Sequence, residues 1–518
     1  MKERSRSVNA TINFSSGALT HILSIIISFI VRTIFIKMLS AEYLGVNGLF
    51  SNVLAILSFA ELGIGNAIIY NMYKPIAEGD ENKIKSLMNL YKKTYRAIGI
   101  FILIAGLLVI PFMDFIVKEP PSISENLIII YLLFLSNTVL SYFYAYKRSL
   151  ITGYQKEYVL NNYKIGFLIA KSVLQILVLV LYKNYLLYLI TQSVFILLEN
   201  IVTSREADKM YPYLKEKNPP SLDKKETKKI FSDVKALLYY KIGSVILNGT
   251  DNIIITRMLS LTLVGIVSNY TLIISSITGV ICTALSGITS SIGNLNAVAE
   301  KKDKQRVFNQ AFLIGVWIYG FACIELLLLL DPFIKLWAGE HYVLPFIATF
   351  ALVLHTYING IHFASYTYRT TCGLYSKGKY APIIASILNI VLSIVLCKYM
   401  GLAGIFFATS IARLLTTTII DPYLVYKYEF NDNVFKYFFK YISLTLIVII
   451  NYFICKGICI NIPNYNVFYI LLKAIVVAII SNLIFLLIFY KSKEFQDIKE
   501  KLVRMLKNLI SKNKVKKA

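Results

Sequence analysis

Carboxylates are scarce in this chain. It holds 29 Asp and Glu against 54 Lys and Arg, and charged residues of both signs fill only 16% of 518 positions. A soluble protein of this length needs a larger polar surface. Histidine is nearly missing, at four residues, and no cluster has metal-ligand spacing. The six cysteines, Cys282, Cys323, Cys372, Cys397, Cys455 and Cys459, form no CxxC pair. They are expected as small apolar residues within helices, although Cys455 and Cys459 share a helix face. No Gly-Lys-Ser/Thr loop offers to cradle phosphates and no catalytic triad is evident, so ATP hydrolysis is not expected and the chain does not read as an enzyme.

What is abundant is apolar sequence: 57% of residues are hydrophobic and the mean hydropathy is +0.63. A bilayer core about 30 Å thick is crossed by about 20 helical residues. Fourteen runs approach that length, at about 12–39, 44–73, 96–117, 127–147, 158–182, 185–203, 234–258, 263–292, 307–330, 343–368, 380–398, 402–426, 437–457 and 465–490. The predicted fold class is an all-α polytopic membrane protein with about fourteen transmembrane helices. The loops are mostly short and leave no room for a separate soluble domain. The first run is too long for a cleavable signal peptide and lacks a small-residue cleavage pattern, so it is expected to stay as a membrane helix.

The charge excess marks orientation. With fourteen spans the loops alternate sides. One side collects Lys2, Arg4 and Arg6 and the clusters at 74–96, 147–164, 205–235, 301–306, 369–379, 427–440 and 491–517. The other side holds only Lys37, Lys118, Lys183, Arg257, Lys335, Lys398 and Lys456. Positive loops stay inside, so both termini are expected in the cytoplasm. This placement argues for contact with membrane lipid and against nucleic acid as the partner. The last stretch, EFQDIKEKLVRMLKNLI, spaces Ile498, Leu502, Leu506 and Leu509 as a basic amphipathic helix would. A helix on the inner membrane surface and a solvated tail both fit.

Two halves of the chain match at an offset near 220. Lys37-Met38-Leu39-Ser40 answers to Arg257-Met258-Leu259-Ser260 and Gly45 to Gly265. PFMDFI answers to PFIKLW, and YAYKRSLITGYQKEY to YTYRTTCGLYSKGKY. The expected organisation is an N-terminal six-helix half at 1–203, a basic cytoplasmic linker at 204–233, and a C-terminal six-helix half at 234–430. Two additional helices follow at 431–490 and a basic tail at 491–518. Both halves begin on the same side, which is a parallel repeat, and transporters of this build place their substrate path between the halves.

Ionisable residues well within the runs are Arg32, Glu61, Lys171, Lys241, Asp251, Glu325, Arg413 and Lys473. Each costs about 2.5–3.5 kcal/mol at the centre of a lipid-facing helix, so they are expected to face the bundle interior or water. Arg32 and Asp251 lie at similar depths, because the offset carries Arg32 onto Asn252. A cavity with a cation for a phosphate and a carboxylate for a coupling ion is one reading, and a structural salt bridge is the other. The planar fork of Arg suits a diphosphate. Lys171 and Arg413 extend the positive lining or snorkel. Glu61 falls in ELGIGNA beside Gly63 and Gly65, which permit close approach or a helix break. His355 and His362, seven apart in one run, suggest polar packing or a proton relay.

The segments AEYLGVNGLFSNVLAILSFAELGIGNAI, YKP with NLYKKTYR, and SSIGNLNA at 290–297 resemble bacterial oligosaccharide-lipid flippases of the polysaccharide transporter family. These belong to one superfamily with multidrug-and-toxin exporters. The resemblance implies a MATE-like fold. It also implies an undecaprenyl-diphosphate-linked oligosaccharide as substrate, moved outward by rocking of the halves for cell-surface polysaccharide biosynthesis. Arg32, Glu61, Lys171, Asp251 and Arg413 are then the expected substrate-binding residues. No cofactor or bound metal is expected, apart from a coupling ion that is a proton or sodium. Polysaccharide polymerase and glycosyltransferases are the expected partners, and a bacterial cytoplasmic membrane the location. A drug/cation antiporter of the same fold and a membrane polysaccharide polymerase or ligase remain alternatives.

Overall fold

The computed structural model describes residues 6–501, 503 and 504, apart from 62–63, 119–120, 217–220, 299 and 375–376. Gly63, the side chain of Lys241, most side chains of SSIGNLNA and the tail leucines Leu502, Leu506 and Leu509 lie outside what is described. Among the described residues the regular structure is entirely helical. Two compact units form, Met1–Asn269 and Tyr270–Ala518. The division falls inside a helix, later than the 204–233 linker, because compactness follows packing whereas the repeat is a feature of sequence.

The first unit contains α1 (Arg6–Met38), α2 (Ala41–Leu57), α3 (Ile64–Glu78), α4 (Glu81–Leu107), the short α5 (Met113–Ile116), α6 (Leu127–Gly153), α7 (Glu157–Tyr182), α8 (Tyr185–Met210), α9 (Lys224–Gly249), α10 (Asp251–Met258) and the opening of α11 (Leu261–Val298). Local chemistry sets several of these starts. Asp80, Asn126 and Asn184 each cap the helix that follows by accepting a backbone N–H from Lys83, Ile128 and Leu187, which satisfies a donor that the first turn leaves open. Lys183 takes the left-handed conformation at φ 49° between α7 and α8, so two membrane-length helices reverse within two residues.

The second unit contains α12 (Lys301–Trp337), α13 (Phe346–Ile361), α14 (Phe363–Thr371), α15 (Ala381–Met400), α16 (Leu402–Leu415), α17 (Thr417–Val425), which runs into a wider turn at Tyr426–Phe430, α18 (Phe435–Cys459) and α19 (Val467–Phe489). Gly401, at φ 56°, turns α15 into α16. A Cβ at Gly404 would lie 2.3 Å from the Leu396 carbonyl oxygen, so only glycine lets this hairpin close. Residues 493–501 form a further helix. Asp497 accepts from Arg306 Nε at 2.5 Å and Gln310 Nε2 at 2.9 Å, and Phe495 stacks on Trp317 at 5.9 Å. The hydrogen bonds from Arg306 hold the Asp497 carboxyl below the usual carboxylate range. The described part of the tail is thus tied to the base of α12.

Among the described residues, twelve helices are long and apolar enough to cross a membrane. The other two apolar runs are present but broken. The run at 44–73 is interrupted by a one-turn 3-10 segment at Ser58–Glu61. The run at 234–258 is divided at Thr250 into α9 and α10. Among the described residues the all-α polytopic fold is present, and a count of fourteen is reached only when these two divided runs are added to the twelve spans. Hydropathy sums over a window and does not register a local break.

Candidate functional site

The break in the second run is built around Glu61. The tyrosine hydroxyl of Tyr95, on α4, donates to Glu61 Oε1 at 3.2 Å. Tyr142, on α6, brings its hydroxyl to Ser58 and Glu61, and its ring lies 6.2 Å from that of Tyr95. Gly65 lets Tyr95 approach, since a Cβ there would meet the Tyr95 hydroxyl at 3.1 Å. The half-buried carboxylate is therefore held by phenols, which stabilise its charge by hydrogen bonding without cancelling it. A discontinuous helix at such a point exposes backbone groups to a cavity or ion. Sequence pointed to Glu61 and Gly65 but not to the two tyrosines, which lie 34 and 81 positions further along the chain.

Arg32 lies in the C-terminal half of α1 and donates through Nη1 to Ser268 Oγ at 3.1 Å. Ser268 in turn donates to the Gly265 carbonyl at 2.6 Å. The positive charge of Arg32 is felt at Tyr185 and Tyr188 of α8. Those rings stack at 6.1 Å and both meet Phe35, one turn beyond Arg32. The surroundings are aromatic and hydroxylic.

Asp251 opens α10 at the break, where a carboxylate complements the helix dipole. Its neighbour Asn252 reaches α2, with Nδ2 3.6 Å from where a Cβ on Gly48 would stand. The offset of 220 that carries Arg32 to Asn252 also carries Gly48 to Ser268. The two contacts are thus equivalents under the repeat.

The same symmetry governs the crossing of α2 with the opening turns of α11. A Cβ on Gly45 would lie 2.1 Å from the Leu261 carbonyl oxygen, and one on Gly265 would lie 2.0 Å from the Ala41 carbonyl oxygen. Each glycine Cα faces the carbonyl of the first residue of the other helix, in the manner of Cα–H···O contacts between helices. No side chain fits. Forced overpacking costs about 1–3 kcal/mol, so Gly265→Ala should open this crossing. In a cysteine-free background, the pair Gly48→Cys and Val264→Cys should crosslink on oxidation. Adding Gly265→Ala should slow that crosslinking by about tenfold, as about 1.4 kcal/mol implies. Equal crosslinking in both backgrounds would show that the crossing tolerates a side chain.

Lys171, half-buried on α7, lies near Glu199 of α8. Glu199 accepts from Arg148 Nη2 at 3.3 Å, and Arg148 also donates to Asn200 at 2.8 Å and Thr203 at 3.2 Å. Lys171 thus lies beside a polar cluster on α6 and α8, where the sequence reading expected it to extend a positive lining or to snorkel. Arg413 lies in the second unit at the end of α16, beside the half-buried His355 of α13.

A buried cluster that sequence reading missed sits in the second unit. Asp421 is 0% exposed and Arg369 1%. Arg369 Nη1 pairs with Asp421 Oδ1 and its Nη2 donates to the Gly378 carbonyl at 3.0 Å. His362, at the junction of α13 and α14, sets Nε2 3.0 Å from Asp421 Oδ2. His362 and His355 therefore have different neighbours and do not act as one pair. The available signal was Asp421 before Pro422 within an apolar run. Among the described residues no group of three His, Cys, Asp or Glu side chains is arranged to hold a metal ion.

No protein-family model and no curated protein matches the sequence. Solved structures do match. The lipid II flippase MurJ in an inward closed conformation superposes with a TM-score of 0.66 at 16% identity, over 92% of this chain and 98% of that one. An inward-facing MATE family transporter of the MOP superfamily superposes with a TM-score of 0.60 at 15% identity, over 78% and 93%. A mutant of the Vibrio cholerae MATE transporter VcmN gives 0.56 at 12% identity over 83% and 98%. The likeness spans nearly the whole of each relative, and it establishes a multi-pass membrane protein with the fold shared by MATE transporters and the MurJ flippase.

Proposed function

We propose that this chain is a flippase. It moves an undecaprenyl-diphosphate-linked oligosaccharide from the cytoplasmic to the outer leaflet of a bacterial cytoplasmic membrane, by alternating access, for surface polysaccharide biosynthesis. The observation that carries the reading is Arg32, a permanent cation within a membrane-spanning helix, set among hydroxyl-bearing side chains in a fold shared with a lipid II flippase. A diphosphate leaving water needs charge-assisted hydrogen bonds, and a guanidinium supplies them in pairs. Both termini lie in the cytoplasm, as the loop charges require. Lys171 and Asp251 in the first unit and Arg413 in the second are the further candidate substrate contacts. Polymerase and glycosyltransferases act before and after this step.

Glu61 is the place where a coupling ion, proton or sodium, is taken up, because two phenols hold its carboxylate without neutralising it. The same feature favours the second reading, antiport of a cationic drug, for which a carboxylate would be the main recognition group. The two readings separate in reconstituted vesicles. Labelled lipid-linked oligosaccharide should change leaflet, and a cationic dye should not be exchanged for protons or sodium. Glu61→Gln keeps the shape and removes the charge, so flipping should fall at least about tenfold while membrane abundance is kept. Dye exchange without lipid movement would replace the flippase by the antiporter. Full flipping by Glu61→Gln would leave that carboxylate a packing role only.

A further inference from the structure

The turn after α14 and the turn after α17 bring together lysines and tyrosines in the second unit. Lys377 places Nζ 3.3 Å from the centre of the Tyr428 ring. Lys427 approaches the same ring at 5.6 Å, and its Nζ donates to the Tyr423 hydroxyl at 2.9 Å. Lys379 lies over Tyr380 at 5.0 Å. Tyr380, Tyr423 and Tyr428 are all exposed. A groove of about 370 Å³ opens beside them, lined by Tyr423, Lys427, Asn431, Asp432, Asn433 and Val434.

The acidic residues nearby are engaged elsewhere. Glu429 pairs with Lys304 at 3.3 Å. Asp432 accepts from Lys436 at 2.8 Å and from Gln305 at 2.8 Å, and the Lys436 hydrogen bond leads in holding its carboxyl down at about 2. Among the described residues, Lys377 and Lys427 meet tyrosines and no carboxylate. Two ammonium groups at one ring repel each other, and an anion placed beside both relieves that repulsion. The rings beneath them are amphipathic bodies of the kind that sit at headgroup level.

We propose that this patch is a binding site for the headgroup of an anionic phospholipid of the adjoining leaflet. Lys377 and Lys427 bracket the phosphate, the Tyr380 and Tyr423 hydroxyls contact the ester oxygens, and the groove beside Asn431 and Asn433 receives the polar end of the headgroup. The inference is independent of the flippase reading. It concerns a resident lipid on the outside of the second unit, not the transported one.

The purified full chain is the material for the test. Native mass spectrometry and thermal melting are followed as phosphatidylglycerol, phosphatidylcholine or soluble glycerol 3-phosphate is added. Phosphatidylglycerol should bind and raise the melting temperature, and phosphatidylcholine should do neither. A lysine near an anionic surface contributes enough that Lys377→Gln with Lys427→Gln should weaken phosphatidylglycerol binding at least about tenfold. Lys377→Arg with Lys427→Arg should retain most of it. Lys398→Gln with Lys456→Gln, in the last turns of α15 and α18, should leave binding unchanged. The lipid-free melting temperature of each variant reports that it has folded. Equal binding of phosphatidylglycerol by the glutamine variant, or equal binding of phosphatidylcholine, would overturn the site. Saturation by glycerol 3-phosphate alone, at the same concentration, would overturn the lipid as its occupant in favour of a soluble phosphate.

Discussion

Asp421→Ala should strongly destabilise the second unit at physiological temperature. The carboxylate is wholly buried and meets Arg369 on one oxygen and His362 on the other. Removing it strands a guanidinium that is 1% exposed. Breaking a buried pair from one side costs about 3–5 kcal/mol, because the remaining charge loses its counter-charge in a site away from water. That is a large share of the 5–15 kcal/mol by which folded domains are typically stable. The loss should appear as strong destabilisation rather than failure to fold outright: poor yield of monodisperse protein and a melting temperature well below wild type. A double replacement, Asp421→Leu with Arg369→Met, removes both charges and should recover much of the loss, since apolar residues of similar volume often substitute for a buried pair. The recovery separates electrostatics from packing. A single variant as stable as the parent would show that water reaches Arg369 and that the cluster is not dry.

Arg32→Ala should abolish flipping while the protein still inserts and melts normally. The guanidinium is proposed as the principal diphosphate contact, and no other group of α1 replaces a two-point fork. Arg32→Lys keeps the charge and loses the fork, so transport should be impaired rather than lost. Ser268→Ala removes the hydroxyl that orients Nη1 but leaves the charge, so it should cost less than Arg32→Ala. If Arg32 instead balances the Asp251 carboxylate, then Arg32→Ala with Asp251→Asn should restore transport. Flipping of labelled lipid-linked oligosaccharide by the single and double variants decides between the two. Near-normal transport in the double variant would eliminate Arg32 as a substrate contact.

Most of the architecture was legible from the chain because membrane helices are specified by composition. Among the described residues all fourteen apolar runs reappear as helical segments, twelve of them within spans long and apolar enough to cross a membrane, and divisions occur in several, including α4/α5, α13/α14 and α16/α17. The divisions were harder to see. Thr250 is not a helix breaker, and at Ser58–Glu61 the only cue was the glycine-rich sequence after the carboxylate. The site was partly legible. Glu61 was singled out because charge in an apolar run is costly, yet its partners Tyr95 and Tyr142 come from helices whose packing no spacing rule reveals. Arg369 was read as a loop cation because it lies near the end of a run, and its long side chain hid the fact that its charge points inward. The match of Gly45 with Gly265 was visible as a repeat. A repeat gives correspondence and not distance, so the mutual approach of the two backbones could not be read from it.

That approach has a mechanical consequence. The Gly45 and Gly265 crossing brings backbone against backbone, with the Leu261 side chain beside Gly45. Attraction between such surfaces is short-ranged: a gap of about 0.5–1 Å already forfeits a quarter to a half of it. The contact is therefore brittle, either engaged along both glycines or lost at both, and a helix displacement smaller than one carbon–carbon bond is enough to decide which.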